Sequence, residues 1–235
     1  MTKELATIPS ADFLALQPGN LETVVEGISG VSRFELPQLR VPSGGGIAWE
    51  VETLSGPEAV KSLDLIVLEM SLAQRKWYRV GLDDADEGGG NAPDCQSSDG
   101  TTGVGCHELK APKEGTPVQE YACAKCQWAQ WGSDRGGRKG QDCRQYGLAL
   151  CLAKESLLPM VLSVPATSLR GAKAYRLRLL GGAKKLTHVV TRVSLTKVAA
   201  KPAYSTIDWG YLGDLDEEAR KSVTAAAKAI GSSLG

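Results

Sequence analysis

The sequence predicts a mainly β chain with flanking helices, an α+β fold arranged as an OB-like Greek-key barrel with a long insertion between two of its strands. Two observations carry this. Five or six short apolar or β-branched segments, in residues 31–80 and 146–200, bracket one internal helical pattern, and that count suits a small barrel. Between them, residues 81–145 are rich in Gly, Asp, Ser and Pro and have no periodicity. So long an irregular stretch in a compact domain needs something else to order it. A sandwich or another α+β sheet is the alternative. The 235 residues read as one domain carrying that insertion.

The elements follow in order. "SADFLALQP" (10–18) and "NLETVVEGISG" (20–30) read as short helices, with Ser10 and Asn20 as N-caps and Pro18 and Gly30 as stops. "FELPQLRVP" (34–42) and "GIAWEVETL" (46–54) read as strands around the turn "SGGG". Residues 62–80 begin as an apolar strand and end in the basic-aromatic cluster "QRKWY", a long strand or an interrupted pair. "YGLALCLAK" (146–154) and "PMVLSVP" (159–165) are strand-like. "ATSLRGAKAYRLRLLGG" (166–182) reads as a helix with Leu169, Ala172, Leu177 and Leu180 on one face. Residues 186–200 are a β-branched strand, and 212–231 a helix capped by Asp214, with Glu217 three on and Gly231 at its end.

Net charge is zero, but it is unevenly divided. Residues 1–120 hold nine Lys and Arg against nineteen Asp and Glu; residues 121–201 hold fifteen against three. Such a division either presents a basic surface to a polyanion or neutralises itself across the fold. No apolar run approaches the roughly 18 residues of a membrane span. The start "MTKELATIPSADF" lacks the basic-then-apolar order of a signal, so a cytoplasmic location is expected.

In that setting six cysteines favour metal over disulfides. Cys123 and Cys126 form a C-x-x-C pair, and Cys143 follows at the distance of a zinc-ribbon arm. Tetrahedral zinc needs a fourth ligand. Cys95, in the polar turn sequence "APDCQSSDG", is the choice; Cys106 and His107 compete with it, and Cys151 reads as a buried apolar residue. A four-thiolate site has no open position, so the zinc would be structural.

Aromatic and basic residues cluster around the same segments. Trp128 and Trp131 either cover the metal or stack on bases. Arg135, Arg138, Lys139 and Arg144 offer phosphate contacts near glycines that admit backbone N–H groups. Arg75, Lys76, Trp77 and Tyr78 would suit a single-strand groove, with Lys173 and Arg176 bordering it from the 166–182 helix. Catalysis finds little support: no phosphate loop ends in Gly-Lys-Ser/Thr, and no serine sits in a nucleophile elbow. Asp83, Asp84 and Asp86 could bind a divalent ion for a nuclease, but a charged loop is the simpler reading.

"PDCQSSDG", "CAKCQWAQWGSDRGGRKGQDCR", "YGLALCL" and "LSVPATSLRGAKAYRLRL" together resemble phage and prophage single-stranded-DNA-binding-like proteins, replication or recombination accessory factors with a zinc-ribbon-like insert. The likeness spans roughly residues 34–200 and is most specific in Pro93–Asp99 and Cys123–Cys143. It implies an OB-like barrel and the ligand set Cys95, Cys123, Cys126 and Cys143. It also implies a bacterial host cytoplasm, and phage or host replication and recombination proteins as partners.

The expectation is therefore a non-enzymatic binder of single-stranded DNA with a structural zinc, RNA and homo-oligomerisation being left open. The alternative is a phage protein-interaction or structural module whose zinc loop only stiffens a docking surface.

Overall fold

The computed structural model describes residues 7–9, 12–53, 55–80, 92–110, 113, 117–137 and 139–234. Among the described residues it is mainly β with three α-helices. In chain order these are β1 (Thr7–Ile8), α1 (Asn20–Gly27), β2 (Gln38–Leu39), β3 (Trp49–Thr53), β4 (Gly56–Val60), β5 (Ser62–Trp77), β6 (Cys95–Ser97), β7 (Thr102–Gly105), β8 (Gln119–Ala122), β9 (Arg144–Ala153), β10 (Met160–Val164), α2 (Ala166–Gly181), β11 (Val189–Val198), β12 (Tyr204–Leu215) and α3 (Glu217–Ser233). The chain divides into two compact units, Met1–Met70 with Leu148–Gly235, and Ser71–Gly147.

In the first unit, β11 runs antiparallel to β12 on one side and to β5 on the other. β1 adds to β12 in parallel, and β2 adds to β10 in parallel. β9 pairs with β5 and β10, while β3 and β4 form a separate hairpin. The sheet is mixed and, among the described residues, does not close.

Side-chain alternation explains why. Ile66, Leu68, Leu150, Leu152 and Val190 pack with Phe13, Val24, Ile28, Val223, Ala226 and Ile230, so one face lies under α1 and α3. The intervening Leu65, Val67, Ala149 and Cys151 point the other way and are equally buried. On that side α2 packs on β12 and β10, and the hydroxyls of Tyr175 and Thr191 are hydrogen-bonded at 2.7 Å. A sheet buried on both faces reads as a continuous apolar run such as "LDLIVL". A closed barrel keeps only one face inside; this sheet is open, and the expected α+β class holds at that coarser level.

Other expectations shift locally. Of the helix expected over 10–18, residues 14–16 make a 3-10 turn, and Ser10 falls outside the described residues. Asn20 begins α1 instead of capping it; Gly19 occupies the cap with φ +82°, and Asn20 Nδ2 donates to the Leu14 carbonyl at 2.8 Å. Of residues 34–42 only Gln38–Leu39 is strand. On α2 the core face is Leu169, Ala172, Tyr175 and Leu179, leaving Leu177 and Leu180 exposed. α3 is capped by Asp216, whose carboxylate accepts from Ala219 N–H at 2.7 Å, and it runs past Gly231. Among the described residues no helix is long and apolar enough to cross a membrane.

Candidate metal centre and nucleic-acid surface

Ser71–Gly147 is built on short strands. Arg75, Lys76 and Trp77 of β5 pair with Ser97, Gln96 and Cys95 of β6; β7 follows β6, and β8 follows β7. Glycines allow this. The β6–β7 turn needs Gly100 at φ +76°, where a Cβ would stand 2.3 Å from the Ala73 carbonyl oxygen. The Asp99 carboxylate organises the turn, accepting from Thr101 and Thr102 N–H at 2.7 and 2.9 Å, from Ser97 Oγ at 2.9 Å, and from the Thr101 hydroxyl. The hydrogen bond from the Thr101 hydroxyl, then those from the Thr102 and Thr101 amides and Ser97, hold the Asp99 carboxyl well below the usual carboxylate range.

The thiols gather on one face of this ribbon. Trp77, Cys95, Ala129 and Cys143 form a buried cluster, with Cys126 and Trp128 packed against it. A Cβ at Gly103 would lie 3.0 Å from Cys95 Sγ and 3.5 Å from Cys123 Sγ, so two sulfurs converge where the ribbon has no side chain. Cys126 N–H donates to the Cys123 carbonyl, Ala129 N–H to that of Cys126, and Cys143 N–H to that of Trp128, which fixes the C-x-x-C turn and brings the last cysteine beside it. None of the six cysteines is in a disulfide. Burial, then the neighbouring Cys126, Cys123 and Cys106, pushes the Cys95 thiol up to about 11. Burial, opposed by Arg75 and reinforced by Cys126, Cys95 and Cys123, pushes Cys143 up to about 12. Cys151 lies apart in β9, fully buried, with its thiol pushed up by that burial alone.

Among the described residues, no three His, Cys, Asp or Glu side chains stand closely enough to hold a metal ion as placed. The donors nonetheless fit zinc in kind: Cys95 and Cys123 converge over Gly103, and Cys143 and Cys126 belong to the cluster that holds Cys95, on a ribbon of short strands and turns.

The loop after the C-x-x-C is bound inward. The Arg135 guanidinium donates to the carbonyls of Tyr78 and Arg79, both at 2.6 Å, and pairs with Asp142 at 2.7 Å. It also lies over Trp77 and Trp128, 5.3 and 5.2 Å from their centroids. These two rings stack at 5.5 Å. Trp77 Nε1 donates to Asp142 and Trp128 Nε1 to the His107 carbonyl, each at 2.6 Å. Ser133 Oγ donates to the Trp128 carbonyl, and Gly132 N–H to that of Gly140 at 2.7 Å.

In this placement several of the expected contact residues are engaged internally. Trp77, 1% exposed, has no face left for a base. Trp128 is half-buried in the same stack, and Arg135 is committed to three internal acceptors. Arg75 has Nε and Nη1 buried, which leaves neither open to a phosphate. Arg144 pairs with Asp134 at 3.6 Å. Lys76 lies over Tyr78 and Tyr146, 5.9 and 5.0 Å from their centroids; burial raises the pKa of both phenols. Trp131 is 77% exposed and Lys139 is exposed. Lys173 and Arg176 lie on the exposed side of α2 in the first unit. Arg138, Asp83, Asp84 and Asp86 fall outside the described residues.

Sequence reasoning missed Asp142, Asp94 and Gly103. Asp94 accepts from Arg79 N–H at 2.7 Å and pairs with its guanidinium at 2.9 Å. The signal for Asp142 was its place immediately before Cys143. The chain matches no protein-family model, no curated protein and no solved structure.

Proposed function

We propose that Ser71–Gly147 is a structural-zinc module and that the protein is a non-enzymatic binder of single-stranded nucleic acid. Cys95, Cys123, Cys126 and Cys143 would hold the ion. When bound, Zn2+ supplies a cross-link between the β6–β8 ribbon and the Cys143 arm, with no open position for chemistry. Cys95 is preferred over Cys106 and His107 because it shares the buried cluster with Cys143 and converges with Cys123 over Gly103.

The observation that carries the binding reading is the division of labour among the tryptophans. Trp77 and Trp128 have internal partners at both ring face and ring N–H. Trp131, 77% exposed, sits on a loop tied down on either side. An exposed indole on a backbone-tied loop that also carries Lys139 is a stacking platform that loses little backbone entropy on binding. DNA is taken as the ligand, and replication or recombination as the setting, from the resemblance to phage proteins.

The test is a titration of intrinsic tryptophan fluorescence with oligo-dT, on protein whose zinc content is measured in the same sample. Quenching that weakens steeply with salt is expected. A flat titration at low salt overturns the binding reading, and folded, metal-free protein overturns the zinc reading.

A second reading, docking of a partner protein, draws on α2. Leu177 and Leu180 are 64% and 69% exposed there, flanked by Arg170, Lys173 and Arg176 with no acidic residue in the helix. Those features suit an acidic, partly apolar partner. Loss of partner capture in Leu177→Asp with DNA affinity intact would favour it.

A further inference from the structure

Arg75 presents a buried contradiction. Its Nε and Nη1 are shielded from solvent and, among the described residues, have no hydrogen-bond acceptor. Buried guanidinium donors without acceptors are rare because removing them from water is costly. The nearby arginines differ: Arg79 has Asp94, Arg135 has Asp142, and Arg144 has Asp134.

Register shows where Arg75 points. It lies two residues before Trp77 on β5, so both side chains project from the same face. Trp77 pairs with Cys95, and both pack with Cys143. Arg75 therefore faces the side of the ribbon on which the thiols gather.

We propose that Arg75 is a positioning residue for the metal centre, donating N–H···S hydrogen bonds to its thiolates and neutralising part of their charge. This rests on the zinc reading above. Four thiolates around Zn2+ leave two net negative charges, which a buried site must offset with donors beyond the ligand shell. A guanidinium supplies charge and directed N–H groups together, and a thiolate is the acceptor it lacks. Lysine could offer the charge but not the planar fork.

The test uses the full-length chain loaded with Co2+ and with Zn2+. Wild type is expected to show the intense sulfur-to-cobalt charge transfer of a four-thiolate site. Arg75→Gln should keep that spectrum but bind zinc at least tenfold more weakly in chelator competition. Its pH midpoint for metal uptake should be higher, and Arg75→Lys should recover part of the loss. If wild type shows no thiolate–cobalt band, the zinc reading itself fails. If the band is present and Arg75→Gln matches wild type in zinc affinity and pH midpoint, the Arg75 role fails alone. Should Arg75→Gln not fold, the wild-type Arg75 Nε–H NMR signal decides. Zinc loading should shift it and slow its exchange with water; an unchanged signal overturns the proposal.

Discussion

Replacing Trp131 by Ala removes a ring that is 77% exposed and, among the described residues, leaves no hydrogen-bond partner behind. Stability should barely change, whereas affinity for oligo-dT should fall by about 1–3 kcal/mol, the worth of one stacked base. The same change at Trp77 should do the reverse in kind. It opens a cavity under Cys95 and removes one donor from the Asp142 carboxylate, so a loss of roughly 3–5 kcal/mol of stability is expected. Equilibrium urea unfolding beside a fluorescence titration separates the two. Arg135 gives a sharper contrast. It joins the carbonyls of Tyr78 and Arg79 to the Asp142 carboxylate. An ammonium cannot span all three. Arg135→Lys should therefore lose nearly as much stability as Arg135→Ala, about 2 kcal/mol from the charged hydrogen bonds, read as a shift of the urea midpoint. A Lys variant with wild-type stability would mean that charge alone matters there.

At the scale of elements, the β6–β7 turn ties stability to pH through Asp99. Its carboxyl is held below the ordinary range by hydrogen bonds from Thr101, Thr102 and Ser97. A carboxylate lowered in the folded state contributes stability that is fully present above its unfolded value, near 4, and is lost as pH falls through the folded one. Hydrogen-exchange protection of the Thr101 and Thr102 amides should thus stay level from pH 7 to about 5 once intrinsic exchange rates are corrected. It should decline only in stronger acid, and Asp99→Asn should lose that acid-linked decline. Elements of this kind also mark what the sequence disclosed. Long segments with one dominant pattern were legible: the apolar run of β5, the β-branched β11, and the helix periods of α2 and α3. β12 was missed although Ser205, Ile207 and Trp209 alternate inward, because Gly210 and Gly213 break the apolar signal. The strands β6 to β8 span three or four residues each, too short for a period, and are ordered by glycines and Asp99 instead. The face of α2 was misread because Leu177 and Leu180 look like core, while the buried positions fell to Tyr175 and Leu179. In the candidate site, cysteine spacing was legible; the inward use of Trp77 and Arg135 was not, since Asp142 and two backbone carbonyls decide it.

For the whole molecule, the two units differ in what holds them together. Met1–Met70 with Leu148–Gly235 has an apolar core running from Phe13 through Ile66 and Leu152 to Ile230. Among the described residues, the buried cluster of Ser71–Gly147 comprises Trp77, Cys95, Ala129 and Cys143. A segment with so little apolar burial draws its stability from directed bonds, and a structural metal would be the strongest of them. Loading should also release protons, because burial keeps the Cys95 and Cys143 thiols protonated at neutral pH and zinc binds the thiolate. Affinity for zinc should accordingly rise with pH. Chelation should then act on one unit more than the other. Hydrogen exchange by mass spectrometry, with and without a strong chelator, is expected to show deprotection across Cys95–Cys143. Peptides from β11, β12 and α3 should keep their protection, because their core contains no proposed ligand. Uniform deprotection would show that folding of the first unit depends on the metal as well. No change anywhere in protein confirmed to have lost its zinc would show that the Trp77–Trp128–Arg135 stack suffices without it.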